Sequence, residues 1–291
     1  MAGGFVIAVA SGKGGTGKTT IATNLARVAS ETGERVRYID CDVEEPNGHI
    51  FLRPAIAKRE HATVEIPRVD AAKCTACGEC GAICQYSAIV CLGGQVLVFD
   101  RLCHSCGGCW QVCPAGAITP EPMRIGEIEI GKAGRVDFVG GRLRIGHVMT
   151  PALIRKVKTH IDPAGLTILD VPPGTSCPVV SSLRGADFVL LVTEPTPFGL
   201  NDLKLAVELT RDLGLPFGAV INRYGIGNDA VEQYCQDESI DVLLHLADDR
   251  RIAETYSSGN MIVDELPGIR QQFHGLLTHL DRMRALQHAP R

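Results

Sequence analysis

The chain opens on an unbroken apolar run, Phe5–Ala10. Such a run, with no polar alternation, is the pattern of a strand buried on both faces. Further strands are predicted over 35–40, 166–170, 188–193, 217–222 and 242–246. Helical periodicity fills the intervals. One helix begins near Lys18, carries Ile21, Leu25 and Val28 on one face and stops at Gly33; others fall near 200–213, 229–238 and 250–258. Strands alternating with helices predict an α/β fold, a parallel sheet covered on both faces. The alternation lapses between 62 and 122, where cysteines, glycines and short strands take over. We therefore expect one α/β domain, 1–61 and 123–291, interrupted by a small α+β insertion over 62–122, with Pro67 and Pro120-Glu-Pro122 as hinges. Residues 124–147 read as a β-meander returning the chain to the larger domain. At the other end Phe273, Leu276, Leu277, Leu280 and Met283 form an amphipathic stripe. Its polar face is not strongly basic, so the stripe is expected to dock on the sheet or on a partner rather than on a membrane.

Eight of the twelve cysteines change this picture. Cys74, Cys77, Cys80 and Cys84 read C-x2-C-x2-C-x3-C, and Cys103, Cys106, Cys109 and Cys113 repeat the run 29 positions later. The flanks keep register, Val69 with Val98 and Ala88-Ile89 with Ala117-Ile118. A pair of zinc sites would need paired CxxC steps and leaves one cysteine of each run unexplained. The spacing resembles that of two-cluster bacterial ferredoxins, in which the fourth cysteine of each run binds the other cluster. The resemblance implies one [4Fe–4S] cluster on Cys74, Cys77, Cys80 and Cys113, and a second on Cys84, Cys103, Cys106 and Cys109. Gln85 stands where that pattern usually has proline, which leaves the ligand count untouched; Pro114 matches it. His104, between two ligands, is read as solvent-facing. So small an insertion buries little apolar surface, and clusters would act as its staples.

The first strand leads into Gly12-Lys-Gly-Gly-Thr-Gly-Lys18-Thr19, which fits G-x-x-x-x-G-K-[ST]. Glycines in such a loop (Gly12, Gly14, Gly15, Gly17) let backbone N–H groups, with those of Thr16 and Thr20, close on phosphate oxygens. Lys18 brings a charge to the β- and γ-phosphates, and Thr19 a hydroxyl to Mg²⁺. The helix starting there adds its positive end.

Lys13 makes the loop resemble the deviant Walker A motif of the ParA, MinD and nitrogenase-iron-protein family of dimeric ATPases. Tyr38-Ile-Asp40-Cys-Asp42 looks like that family's switch I, and Ile168-Leu-Asp170-Val-Pro-Pro-Gly174 like its Walker B–switch II segment. DVEEPN (42–47), PPGTSCPV (172–179) and EPTPFGLNDLK (194–204) are similar to MinD-type ATPases carrying an inserted two-cluster ferredoxin domain. The similarity runs from Phe5 to about Leu266. It implies ATP hydrolysis, with Lys13 reaching across a dimer to the partner's phosphates, Asp170 holding Mg²⁺ through water with Asp40 nearby, and Asp42 positioning the attacking water or the metal's shell. Asn222 and Arg223 would form the base-binding corner; Gly225 stands where a guanine reader has its carboxylate, so ATP is expected. Cys177, just after switch II, would lie near the dimer axis; Cys41 is read as packing.

Composition narrows the setting. The 291 residues suit about two domains, and 45% apolar content with no run of eighteen apolar residues indicates a soluble protein. The opening MAGG has no charged n-region, so no signal peptide is expected. A formal charge of −4 argues against nucleic-acid binding. Clustered cysteines suit a reducing cytoplasm. The expected function is an ATPase coupling a dimer switch, homo- or heterodimeric with a similar ATPase, to electron transfer or metal-cluster assembly on a partner protein. The alternative is a ParA- or MinD-like positioning ATPase whose ferredoxin domain docks cargo.

Overall fold

Strand β1 (Phe5–Ala10) forms where every residue is apolar, and all six are buried. The computed structural model describes residues 4–287, so the leading 1–3, on which the expectation of no signal peptide partly rests, lie outside the described residues. β1 is followed by α1 (Lys18–Ala29), β2 (Val36–Asp40) and the short α2 (Gly48–Leu52). Next come β3 (Ala55–Val69), α3 (Glu79–Ile83), β4 (Ile89–Leu92), β5 (Gln95–Val98), α4 (Gly108–Gln111), β6 (Ile118–Ala133) and β7 (Val136–Leu143). The chain then alternates through α5 (Thr150–Lys158), β8 (Leu166–Asp170), α6 (Cys177–Leu183), β9 (Phe188–Thr193), α7 (Pro197–Asp212), β10 (Phe217–Tyr224), α8 (Ala230–Asp237) and β11 (Val242–Ala247). It ends in α9 (Arg250–Ser257), α10 (Ile262–Glu265) and α11 (Pro267–Gln287).

The main sheet has the order β11-β10-β9-β1-β8-β2-β7-β6-β3. From β11 to β2 every neighbouring pair is parallel, as the apolar runs predict, and β7, read from sequence as part of a meander, also joins β2 in parallel. The sheet is wider than that prediction, because β7, β6 and β3 extend it. α1 packs Ile21, Leu25 and Val28 into one core with β1 and β8. α11 adds Phe273, Leu276, Leu277 and Leu280 to the same core, with Met283 against its edge. Each such side chain contributes about 1.5–3 kcal/mol on burial, so the stripe is spent on the protein's own interior. No described helix is long and apolar enough to cross a membrane.

The chain divides into two compact units, one of Met1–Arg59, Ile128–Arg142 and Ile154–Arg291, the other of Glu60–Glu127 and Leu143–Leu153. The second unit is thus larger than the predicted 62–122 and takes in part of the returning segment. The prolines expected as hinges lie inside strands, Pro67 in β3 and Pro120 and Pro122 in β6. β3 is the last strand of its sheet, and a missing N–H is tolerated at an edge.

Within the smaller unit the 29-residue sequence repeat is a backbone repeat. Ala76 and Ser105 share φ of 54°, Gly78 and Gly107 have 86° and 81°, and Ser87 and Gly116 have 51° and 56°. Gly78 and Gly107 each precede a short helix, α3 and α4. The halves close on each other: Asp70 N–H donates to Ala117 O at 2.8 Å, and Phe99 N–H to Ala88 O at 2.7 Å. The core is paired in the same way, Cys80 with Cys109 and Ile89 with Ile118.

Candidate functional site

The phosphate loop joins β1 to α1 and is shaped by close approaches. A Cβ on Gly12 would stand 2.7 Å from the Asp202 Cβ on α7. Gly17, at φ 92°, turns the chain into α1, a conformation that side-chain-bearing residues rarely adopt. Lys18 and Thr19 follow on the first turn, both buried. They line a cavity of about 400 Å³ whose other walls include Asn222, Arg223, Asp248 and Tyr256, a volume suited to a small ligand. The loop, the open N-terminal turn of α1 and one lysine make an anion site at its inner end.

Behind it lie the carboxylates. Asp40 and Asp170 are register partners at the ends of parallel strands β2 and β8, and both are buried. The Tyr38 hydroxyl donates to Asp170 Oδ2 at 2.8 Å. Asp40 accepts from the backbone N–H of Asp42 at 3.1 Å and of Gly48 at 3.0 Å. Burial pushes both carboxyls above their usual range, and for Asp40 the neighbouring Asp170 adds to the effect. For Asp170 the Lys18 charge and the Thr19 hydroxyl pull the other way. Asp42 is pushed up to about 6, chiefly by burial and against the Glu45 N–H and Lys18. Two adjacent buried carboxyls beside a threonine hydroxyl are a hard-oxygen set suited to Mg²⁺, which typically takes one or two carboxylates and completes its shell with phosphates and water.

Lys13 lies elsewhere in its neighbourhood. Its Nζ is 3.9 Å from Glu194 Oε2, while Arg223 Nη1 is 3.1 Å from Glu194 Oε1. Glu194 is 6% exposed, so one buried carboxylate faces two cations. The expected adenine reader, Asn222, uses its amide nitrogen on the loop itself, donating to Thr16 O at 2.8 Å. Gly174, at φ 95°, donates its N–H to Ser11 O at 3.0 Å and so ties the switch II segment to the strand that carries the loop.

Several contributors escape a motif-by-motif reading. Asn47 accepts from the Thr19 hydroxyl at 2.8 Å, and Glu194 holds Lys13. Both lie in runs whose family likeness is visible but whose individual roles are not. Lys158 is a third. Its ammonium donates to Ser181 O, Ser182 O and Arg184 O at 3.0, 2.6 and 2.5 Å, gripping the end of α6, and burial lowers its pKa. Cys177 is exposed at the start of α6, and Cys41 is fully buried.

In the smaller unit Cys74, Cys77, Cys80 and Cys113 line one small cavity. Cys84 is not among them. Cys106 and Cys84 instead lie near enough to Cys103 to raise its pKa, as Cys103 and Cys106 do for Cys109. All eight are free thiols. Backbone N–H groups point at the sulfurs in repeat-related pairs, Ala76 on Cys74 Sγ and Ser105 on Cys103 Sγ, both at 3.4 Å. Around Cys84 burial raises the pKa, but N–H groups of Tyr86, Ala88, Ile89 and Ser87 outweigh it and hold the thiol below its ordinary value. Burial pushes Cys109 up to about 11. Among the described residues no group of three or more His, Cys, Asp or Glu side chains could hold a metal ion. A cubane differs from a single ion in that each thiolate binds its own iron, so its ligands stand farther apart than those sharing one metal centre. His104 is exposed, as expected, yet its ring stacks on Tyr86 with centroids 3.7 Å apart.

A model of the CobQ/CobB/MinD/ParA nucleotide binding domain matches residues 7–262. The chain belongs to this family. Among its relatives is an uncharacterized protein of Methanocaldococcus jannaschii, 30% identical over 259 residues, covering 88% of this chain and 90% of that one. An iron-sulfur cluster carrier protein of Pyrococcus furiosus is 26% identical over 281 residues, covering 89% and 79%. Of solved structures, the Pyrococcus furiosus cell division ATPase MinD superposes with a TM-score of 0.58 at 22% identity, covering 97% of this chain and all of that one. That likeness shows the fold, a mostly parallel α/β sheet of the MinD kind.

Proposed function

We propose that this MinD/ParA-family protein is an ATPase that couples its nucleotide cycle to two [4Fe–4S] clusters. The observation that carries the reading is the gathering of Cys74, Cys77, Cys80 and Cys113 around one cavity in a chain that also carries a complete phosphate loop. A relative named as an iron-sulfur cluster carrier protein supports it.

Lys18 and the loop N–H groups bind and orient the phosphates, and Thr19 with Asp170 would hold Mg²⁺. Ionised Asp42 accepts a hydrogen bond from the attacking water and aligns it on the γ-phosphate. Gly225 stands where a guanine reader has its carboxylate, and on that ground the base is read as adenine. Lys13 leaves its own Glu194 when a second copy or a similar ATPase closes on the nucleotide, and then offsets charge on the partner's γ-phosphate. The cysteines would hold the clusters in the crossed sets given above; bound clusters supply one-electron chemistry or a cargo for a client protein. A positioning role would call for a DNA or membrane surface, and the terminal helix spends its apolar stripe on the core.

Because Asp42 acts ionised and titrates near 6, kcat/KM for Mg-ATP falls as pH drops through about 6, where the carboxyl gains a proton and stops accepting. An acid limb near the ordinary carboxylate value of about 4 would contradict this.

Voltammetry tests the coupling. Midpoint potentials are compared without nucleotide, with ADP and with a non-hydrolysable ATP analogue. A tenfold difference in nucleotide affinity between oxidised and reduced forms moves a one-electron couple by about 59 mV. Equal potentials in all three states, in protein with full iron and active ATP hydrolysis, would leave the clusters as uncoupled passengers.

A further inference from the structure

Beside the second cysteine run the smaller unit presents an apolar face with a positive rim. Ile145 is 99% exposed, and Phe99, Leu102 and Val148 are each about half exposed. These residues come from two segments, the turn at 99–102 and the loop at 144–148, and Arg101 joins them. A Cβ on Gly146 would stand 3.6 Å from Arg101 Nη1, so the guanidinium lies along the loop. Arg144 N–H donates to Ile125 O at 2.8 Å, which anchors the loop's other end to β6. The pKa of His147 is lowered by burial and by the charges of Arg144 and Arg101, a further sign that the cations converge. Asp100 is the one carboxylate in either segment. Between Gly81 and Pro120 the sequence has only Asp100 and Arg101 as charged residues. Asp70, Lys73 and Glu79 accompany the first cysteine run, whereas in the two segments of this face Arg101 and Arg144 stand against the single carboxylate of Asp100. Leu102 immediately precedes Cys103.

We infer that this face docks an acidic one-electron carrier protein, whose carboxylate rim meets Arg101 and Arg144 while its apolar cofactor edge meets Ile145, Leu102, Phe99 and Val148. Exposed apolar centres with arginine rims are the composition of protein–protein interfaces. Opposite charge steers encounter and falls away with salt. The inference rests on the cluster reading above, since the electron delivered has to reach a ligand of the second cysteine set. The step is one electron from the reduced carrier to an oxidised cluster; the carrier is oxidised by one unit and the cluster reduced by one.

The test uses the full chain, purified without oxygen, and photoreduced flavodoxin as the acidic probe. Cluster reduction is followed by stopped flow across ionic strength, and binding by calorimetry at low salt. The parent is expected to show a second-order rate that falls steeply with salt. Arg101→Glu with Arg144→Glu should lower that rate at least tenfold at low salt and flatten its salt dependence, and Ile145→Asp should weaken binding by a similar factor. A small neutral deazaflavin radical should reduce all variants at the parent's rate. Rates and affinities for flavodoxin unchanged by these substitutions would overturn the docking face. Binding of the same residues to vesicles of anionic lipid, with no binding to flavodoxin, would also overturn it. Iron-free protein would instead overturn the cluster reading, and in that case the calorimetry still decides the docking face by itself.

Discussion

Lys18→Ala is expected to abolish ATP turnover and to weaken Mg-ATP binding roughly ten- to hundredfold, the equivalent of about 1.5–3 kcal/mol for a lost charge-assisted contact. The expectation follows from position. Lys18 is buried in the first turn of α1, and its charge also lowers the carboxyls of Asp170 and Asp42. Removing it takes a cation from the phosphates and leaves buried Asp170 and half-buried Asp42 without a charge that lowers their pKa. The same change should therefore raise the acid limb of Mg-dependent binding, because Asp170 surrenders its proton less readily. Calorimetric titration and phosphate release measure the two effects. A variant that binds and hydrolyses ATP like the parent would show that the loop is no phosphate site.

The second large effect concerns iron. Anaerobically purified protein is expected to hold about eight irons per chain, and Cys113→Ala about four. Pairs of substitutions reveal which cysteines share a cluster without any need to tell the clusters apart. Under the crossed assignment Cys77→Ala combined with Cys113→Ala removes ligands from one cluster only, and about four irons remain. Cys103→Ala combined with Cys113→Ala strikes both, and almost none remains. Assignment of each run to its own cluster demands the opposite outcome. The crossed result is expected because Cys113 shares a cavity with the first run, while Cys84 neighbours Cys103. Stoichiometric zinc with no iron would sink both assignments.

Much of the nucleotide unit was legible in the sequence, for a physical reason. Strands buried on both faces must be apolar throughout, so β1, β8 and β9 stand out as runs, and the glycine loop follows the first of them. The cysteine repeat was legible to the residue, because identical spacing has folded into identical backbone, down to the left-handed Ala76 and Ser105. β3 and β6 were not. Their sequences mix charges with prolines, and a proline such as Pro67 reads as a break unless the edge position of β3 is known. Nor was the grip of Lys158 on α6 visible, since its three acceptors are backbone carbonyls 23–26 residues away, and a carbonyl carries no sequence signature. Asn222 lines the cavity beside the loop, but its bond to Thr16 O depends on how β10 meets the loop, which residue type alone does not specify.

Glu194 has the widest consequence. It is a shared counter-ion: Lys13, in the loop, and Arg223, which we propose to lie at the base end, divide one buried charge. Whatever draws Lys13 away leaves the carboxylate to Arg223 alone and strengthens that pair, and whatever occupies Arg223 tightens the hold on Lys13. By linkage the influence runs equally in both directions. In the proposed binding mode the two ends of the nucleotide are then not independent grips. How firmly the base corner is set bears on how easily the lysine departs, and a ligand without a base would release the lysine on different terms from a complete nucleotide.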